Sequence, residues 1–186
     1  MRFFVPGRIC LFGEHSDWAG HNRRINAEVE KGYASDSDVP CAQQLMQVYE
    51  RTRDSVVGLK ATSADEIHLY GCVAGIWKDE QSILSITEFV EKPGVEDAQT
   101  RLQVEGLEEG YYLSLFGQYI LKPDIFKYLE ENITHNLREK GEFQLTSCLD
   151  RLRQEDGFSG YVVKGRRFDI GVPDAYRQAM MDYRNL

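Results

Sequence analysis

The sequence predicts an α/β fold, a mixed sheet covered by helices. Three observations carry this. Short β-type runs alternate with segments whose apolar residues recur at helical spacing, the pattern that lays helices over a sheet. The 186 residues suffice for one domain with a real core, or for two very small ones. No internal repeat and no low-complexity segment interrupts the chain, and its one shift of composition falls near residues 34–38.

Arg2 to Leu11 reads as extended, with a turn at Pro6-Gly7, and residues 13–24 (GEHSDWAGHNRR) are polar and turn-rich. Ser35-Asp36-Ser37-Asp38 forms a polar joint. A helix then starts, capped by Asp38 or Val39, with Pro40 in the first turn where its missing N–H is not needed. Ala42, Leu45, Met46 and Tyr49 give that helix one apolar face. Ser55 to Lys60, Gly71 to Trp77 and Ile83 to Val90 read as strands, and Tyr111 to Leu121 is the longest β-type stretch. Pro123 opens a helix carrying Ile125, Phe126, Leu129 and Ile133. Leu145, Cys148, Leu149 and Leu152 mark another, which Gly157 stops. Tyr161 to Val163 and Arg167 to Ile170 are short strands, and Tyr176, Ala179, Met180 and Tyr183 place a last helix after Pro173.

The composition, 42% hydrophobic and 28% charged, is that of an ordinary globular protein. A formal net charge of -8 argues against general nucleic-acid binding, which needs a basic footprint, but not against nucleotides, which a few placed groups can hold. Cys10, Cys41, Cys72 and Cys148 are too far apart for a zinc or redox pair and read as reduced, buried thiols. No apolar run approaches the ~18–20 residues that span a bilayer. Pro6, Gly7 and Arg8 break the apolar start, so no secretory signal is read and a cytoplasmic location is expected. His21, His68 and His135 lack partner spacing and read as surface or satisfied histidines.

Two short runs carry chemistry. Phe89-Val90-Glu91-Lys92-Pro93 sets a carboxylate, an ammonium and a rigid turn side by side. Arg167-Phe168-Asp169-Ile170-Gly171 sets a lone carboxylate at the end of a strand. An acid that accepts from sugar hydroxyls, a cation that sits on a phosphate and an acid that holds a magnesium ion are parts of a sugar-phosphate site.

From about residue 37 onward the chain resembles the C-terminal half of bacterial UTP–glucose-1-phosphate uridylyltransferases. Seven blocks in order carry the resemblance: PCAQQLMQVYERT (40–52), DSVVGLK (54–60), YGCVAG (70–75), ITEFVEKP (86–93), FGQYILKPDIF (116–126), GEFQLTSCLDRLRQEDG (141–157) and GRRFDIGVPDAY (165–176). The resemblance implies a nucleotide-diphospho-sugar transferase-like α/β fold, here truncated in its N-terminal half. It implies that Glu91 accepts from glucose hydroxyls, that Lys92 sits on the phosphate, and that Asp169 coordinates Mg2+. Tyr70, Gly71 and Gly117 match positions where main chain approaches the nucleotide-sugar, with Glu142 and Gln144 supporting the pocket. The expected partners are UDP-glucose or glucose 1-phosphate. The family's glycine-rich triphosphate loop has no counterpart in this sequence, so a catalytically incomplete site is expected. Asp36 and Asp38 lie near the place of a second magnesium aspartate, but that role is carried onto neither.

Residues 6–20, PGRICLFGEHSDWAG, resemble instead the first motif of the GHMP sugar kinases, of which galactokinase is a member. That resemblance implies a sugar site at Arg8, Glu14, His15 and Asp17. The chain thus divides into residues 1–34, kinase-like, and 37–186, nucleotidyltransferase-like, with the junction near Ala34 to Asp38. Loss of the first half of the sheet would leave an exposed edge. Residues 2–12 could cover that edge, and a self-associating protein is otherwise expected.

Overall fold

The computed structural model describes residues 39–138, 141, 143–165, 177–178 and 180–181. The chain divides into two compact units, Met1–Cys41 with Lys164–Leu186, and Ala42–Val163. The second unit carries nearly all the described structure. Its order is helix α1 (Cys41–Thr52, beginning one residue earlier), β1 (Ser55–Ser63), a 3-10 turn (Ile67–Leu69), β2 (Gly71–Trp77), β3 (Ile83–Glu91), α2 (Val95–Arg101), β4 (Tyr111–Ile120), α3 (Asp124–Thr134), α4 (Leu145–Asp156) and β5 (Phe158–Val162). No helix among the described residues is long and apolar enough to cross a membrane.

The strands close on themselves in the order β1-β4-β2-β3-β5 and back to β1. β1 and β5 run parallel, Val57 opposite Gly160, and the other pairs are antiparallel, which makes the sheet mixed. Closure corrects the expectation of an exposed edge. Among the described residues every strand has two neighbours, because β5 pairs with β3 (Leu84 opposite Gly160) as well as with β1. Residues 2–12, expected to cover the edge, lie outside the described residues.

Helices cover both faces, and side-chain alternation along the strands explains how. Val73 of β2 and Leu113 and Leu115 of β4 join one apolar cluster with Ile125 and Tyr128 of α3 and Cys148, Leu149 and Leu152 of α4. Their sequence neighbours Cys72, Ala74 and Tyr112 point the other way and join Ile67, Ala98 and Leu102. A strand buried on both faces reads as a continuous apolar run, which is why GCVAG and YLSLF show no alternation.

Three sequence expectations shift. On α1 the buried residues are Cys41, Gln44, Leu45 and Val48, while Met46 is exposed, so the buried face is rotated from the expected one. On α3, Ile125 and Tyr128 are buried but Phe126 and Ile133 are exposed. Tyr128, not among the residues expected on this helix's apolar face, reaches the core with its ring and donates its hydroxyl to Glu155. Helix α2 was not expected, because its sequence VEDAQTR offers only Ala98 to the core. The strand expected at Arg167–Ile170 lies outside the described residues.

Candidate functional site

Four of the expected site residues meet at one end of the β2/β3 hairpin. Asp79 closes the other end: its carboxylate accepts from the backbone N–H groups of Ser82 (2.9 Å) and Ile83 (2.8 Å). From that turn the antiparallel register runs to Gly71 opposite Glu91, the last residues the two strands share. Tyr70 and Lys92 flank the pair, and the Lys92 N–H donates to the Tyr70 carbonyl at 3.2 Å.

Lys92 has φ +48°, in the left-handed region that a side chain with a Cβ rarely adopts. Two neighbours hold it there. The hydrogen bond to Tyr70 fixes its N–H, and the buried Pro93 that follows disfavours the right-handed helical alternative. The turn therefore stops β3 and leaves the lysine exposed beside the half-buried Glu91.

Glu91 stands two residues after Phe89 on β3 and so shares its face. Phe89 belongs to the cluster that includes Cys148, Leu149 and Leu152 of α4, and it packs edge-on against Phe158 at 5.2 Å. At the next step along that face the core ends and the first turn of α4 begins. There the Thr146 hydroxyl donates to Glu91 Oε2 at 2.7 Å.

The two glycines act differently. A Cβ built on Gly71 would lie 2.7 Å from Leu115 Cδ1 and 3.1 Å from Glu91 Oε2. The missing side chain thus makes room for two side chains of the protein itself. Gly117 has φ +91° and nothing within 4 Å of its built Cβ, so it is needed for its backbone conformation and not for space. It sits in an irregularity of β4, where Leu115 pairs with Leu59 but Tyr119 already pairs with Val57. Such bulges bend a strand and re-aim its side chains. Leu115, whose Cδ1 a Cβ at Gly71 would meet, lies two residues before Gly117 on the same strand.

Gln144 is half-buried at the start of α4, where its carbonyl accepts from the Ser147 hydroxyl at 3.2 Å. Glu142, Asp169, Asp36 and Asp38 lie outside the described residues, as do the kinase-like Arg8, Glu14, His15 and Asp17. His68 and His135 are exposed, as expected of surface histidines. Among the described residues no group of three His, Cys, Asp or Glu side chains could hold a metal ion, so these residues do not by themselves make a magnesium centre. A separate cleft of about 680 Å³, lined by Gln99, Gln103, Val104, Leu107, Glu109 and Tyr112 among others, contains none of the expected site residues.

Sequence reasoning missed Thr146. It lies inside the block GEFQLTSCLDRLRQEDG, but no local pattern marks a threonine in a helix as the partner of a glutamate 55 residues away.

Residues 36–185 match the family model described as nucleotidyl transferase. UTP–glucose-1-phosphate uridylyltransferase 1 of Staphylococcus saprophyticus is 36% identical over 138 residues, 73% of this chain and 42% of that protein. The UTP–glucose-1-phosphate uridylyltransferase of Streptococcus pneumoniae is 32% identical over 145 residues, 78% of this chain and 44% of that protein. Among solved structures, apo UDP-glucose pyrophosphorylase superposes with a TM-score of 0.68 at 28% identity, covering 82% of this chain and 50% of that one. UDP-glucose pyrophosphorylase complexed with UDP-glucose gives a TM-score of 0.68 at 29% identity, covering 81% and 52%. The chain spans about half the length of the relatives it matches. The matched span begins after the kinase-like motif.

Proposed function

Because the chain belongs to the nucleotidyl transferase family, we propose that the end of its β2/β3 hairpin is the sugar-phosphate side of a site for UDP-glucose. Its relatives are named for a reaction of UTP with glucose 1-phosphate, of which the residues here would supply the sugar-phosphate side, the triphosphate loop having no counterpart in this sequence. An oxygen of the glucose 1-phosphate phosphoryl group attacks the α-phosphorus of UTP, the bond to the β-phosphate oxygen breaks, and pyrophosphate leaves. The protein's work in such a displacement is to position two anions and offset their charge.

One observation carries the reading. Glu91 and Lys92 are adjacent in sequence, yet the left-handed turn at Lys92 separates their tasks, one half-buried at the edge of the core and the other exposed. Residues held in sparsely populated backbone regions cluster at ligand sites, where the fold over-determines them. A half-buried carboxylate suits sugar hydroxyls, and an exposed ammonium beside it suits a phosphate as a point charge. Tyr70 holds the turn through its carbonyl. Gly71 lets Glu91 lie close against β2, and Gly117 supplies the bend in β4. Gln144 stands at the start of α4 as support, and the sequence resemblance gives Glu142 the same role.

We propose, on the sequence resemblance alone, that Asp169 is a Mg2+ ligand. A hard cation prefers one or two carboxylates together with phosphate oxygens, and would there offset charge on the nucleotide. The division into residues 1–34 and 37–186 rests on sequence alone. A GHMP-type sugar kinase, with its site at Arg8, Glu14, His15 and Asp17, is the reading not favoured.

The test has two parts. Incubation with UDP-glucose and pyrophosphate reads turnover as UTP formed, and calorimetric titration with UDP-glucose reads binding. Sugar-dependent binding that falls by roughly tenfold in Lys92→Ala, the scale of one lost charged contact, supports the placement. Binding unchanged in Lys92→Ala sinks it.

A further inference from the structure

We infer that Thr146 is a positioning residue, holding the Glu91 carboxylate in the orientation that receives the sugar. The inference rests on the reading of Glu91 as the sugar-binding group. Oε2 of that carboxylate takes the Thr146 hydroxyl at 2.7 Å, and it is also the atom that a Cβ at Gly71 would meet at 3.1 Å. Both constraints therefore fall on one oxygen. Oε1 has no hydrogen-bond partner among the described residues, so it is the oxygen with acceptor capacity to spare.

The donor stands on a fixed element. Cys148, Leu149 and Leu152 bury α4 against the sheet, all within 1% of full burial. Arg151 ties α4 to α3 through Glu131 and lies 4.4 Å over the Tyr128 ring. Thr146 thus stands on a helix held from the core side, and a glutamate with three rotatable bonds is held at its tip by a hydroxyl on a shorter, β-branched side chain. Preorganisation of this kind lowers the ordering cost of binding without adding a ligand contact.

The experiment titrates the full chain with UDP-glucose and with UDP, and repeats both with Thr146→Val, Thr146→Ser, Glu91→Gln and the Thr146→Val/Glu91→Gln pair. Thermal unfolding checks each variant, and Thr146→Ala replaces the valine variant if that one does not fold. The expected result is roughly tenfold weaker UDP-glucose binding in Thr146→Val with UDP unaffected. Thr146→Ser should restore most of the affinity, and the double variant should bind no worse than Glu91→Gln alone. Parent-like UDP-glucose binding by Thr146→Val overturns the inference and leaves the site standing. Equal weakening of UDP and UDP-glucose, with no rescue by serine, marks a merely structural role and also overturns it. An unmodified chain that binds UDP-glucose no better than UDP overturns the reading of Glu91, and the inference with it.

Discussion

Gly71→Ala tests how the site is built more sharply than removal of a charged group does. The added Cβ would stand 2.7 Å from Leu115 Cδ1 and 3.1 Å from Glu91 Oε2. Carbon atoms in contact sit about 3.5–4.0 Å apart, so the leucine methyl must withdraw by roughly 1 Å. It has little room, because Leu115 is 8% exposed and belongs to the main apolar cluster. Overpacking of that kind costs about 1–3 kcal/mol. For a chain of this size it lowers Tm by roughly 3–10 °C. The same Cβ crowds the carboxylate that Thr146 holds, so UDP-glucose affinity should fall along with stability. Urea unfolding and calorimetric titration read the two effects. Gly117→Ala is the comparison: its strain comes from φ +91° with no contact, so about 1 kcal/mol is expected without crowding of Glu91. Shortening Leu115 to valine in the Gly71→Ala background should return part of the loss. If Gly71→Ala unfolds and binds like the parent, the packing argument around Glu91 is wrong.

Other outcomes follow from the same structure. Leu152 is fully buried between α4 and the sheet, so Leu152→Ala should lose about 2–5 kcal/mol in urea unfolding. Burial works to raise the Asp79 carboxyl, but hydrogen bonds from the Ser82 hydroxyl and the Ile83 and Ser82 N–H groups outweigh it, and its pKa is lowered from 3.8. A depressed carboxyl stabilises the fold above its unfolded pKa and loses that contribution as pH falls through the folded value. Acid unfolding of Asp79→Asn should therefore show a shallower dependence on pH below 3.8 than the parent. Burial pushes the Cys41 thiol up to about 12, and Cys72 and Cys148 are buried too. A thiol reagent at pH 8 should leave these three unmodified until urea exposes them, and fast modification of Cys41 in the native protein would contradict the packing of α1. Asp169→Asn should remove any Mg2+ dependence of UDP-glucose binding, and an unchanged titration with EDTA and with Mg2+ would reject that ligand.

Part of the candidate site was legible in the sequence because its parts are adjacent there. Glu91, Lys92 and Pro93 are consecutive, and they end the β-type run of β3. The resemblance marked both glycines as close-approach positions, but only Gly71 is crowded, by Leu115 and Glu91, while Gly117 has open space and a positive φ. Faces of helices were the weak point. Tyr128 and Phe126 both carry large rings, and only packing decided that the tyrosine is buried and the phenylalanine 66% exposed.

The sequence by itself determined most of the elements, from apolar spacing and from breaks such as Pro40, Pro123 and Gly157, though not α2 and not the start of β5 at Phe158, and it brought Glu91 beside Lys92. These are local properties, set by backbone period and by what proline and glycine permit. Tertiary structure decided that β5 lies between β1 and β3, which closes the sheet, and that Thr146 meets Glu91 across 55 residues. Such pairings depend on register and on which apolar faces exclude water together. That choice belongs to the packed core as a whole, and no short run of residues specifies it.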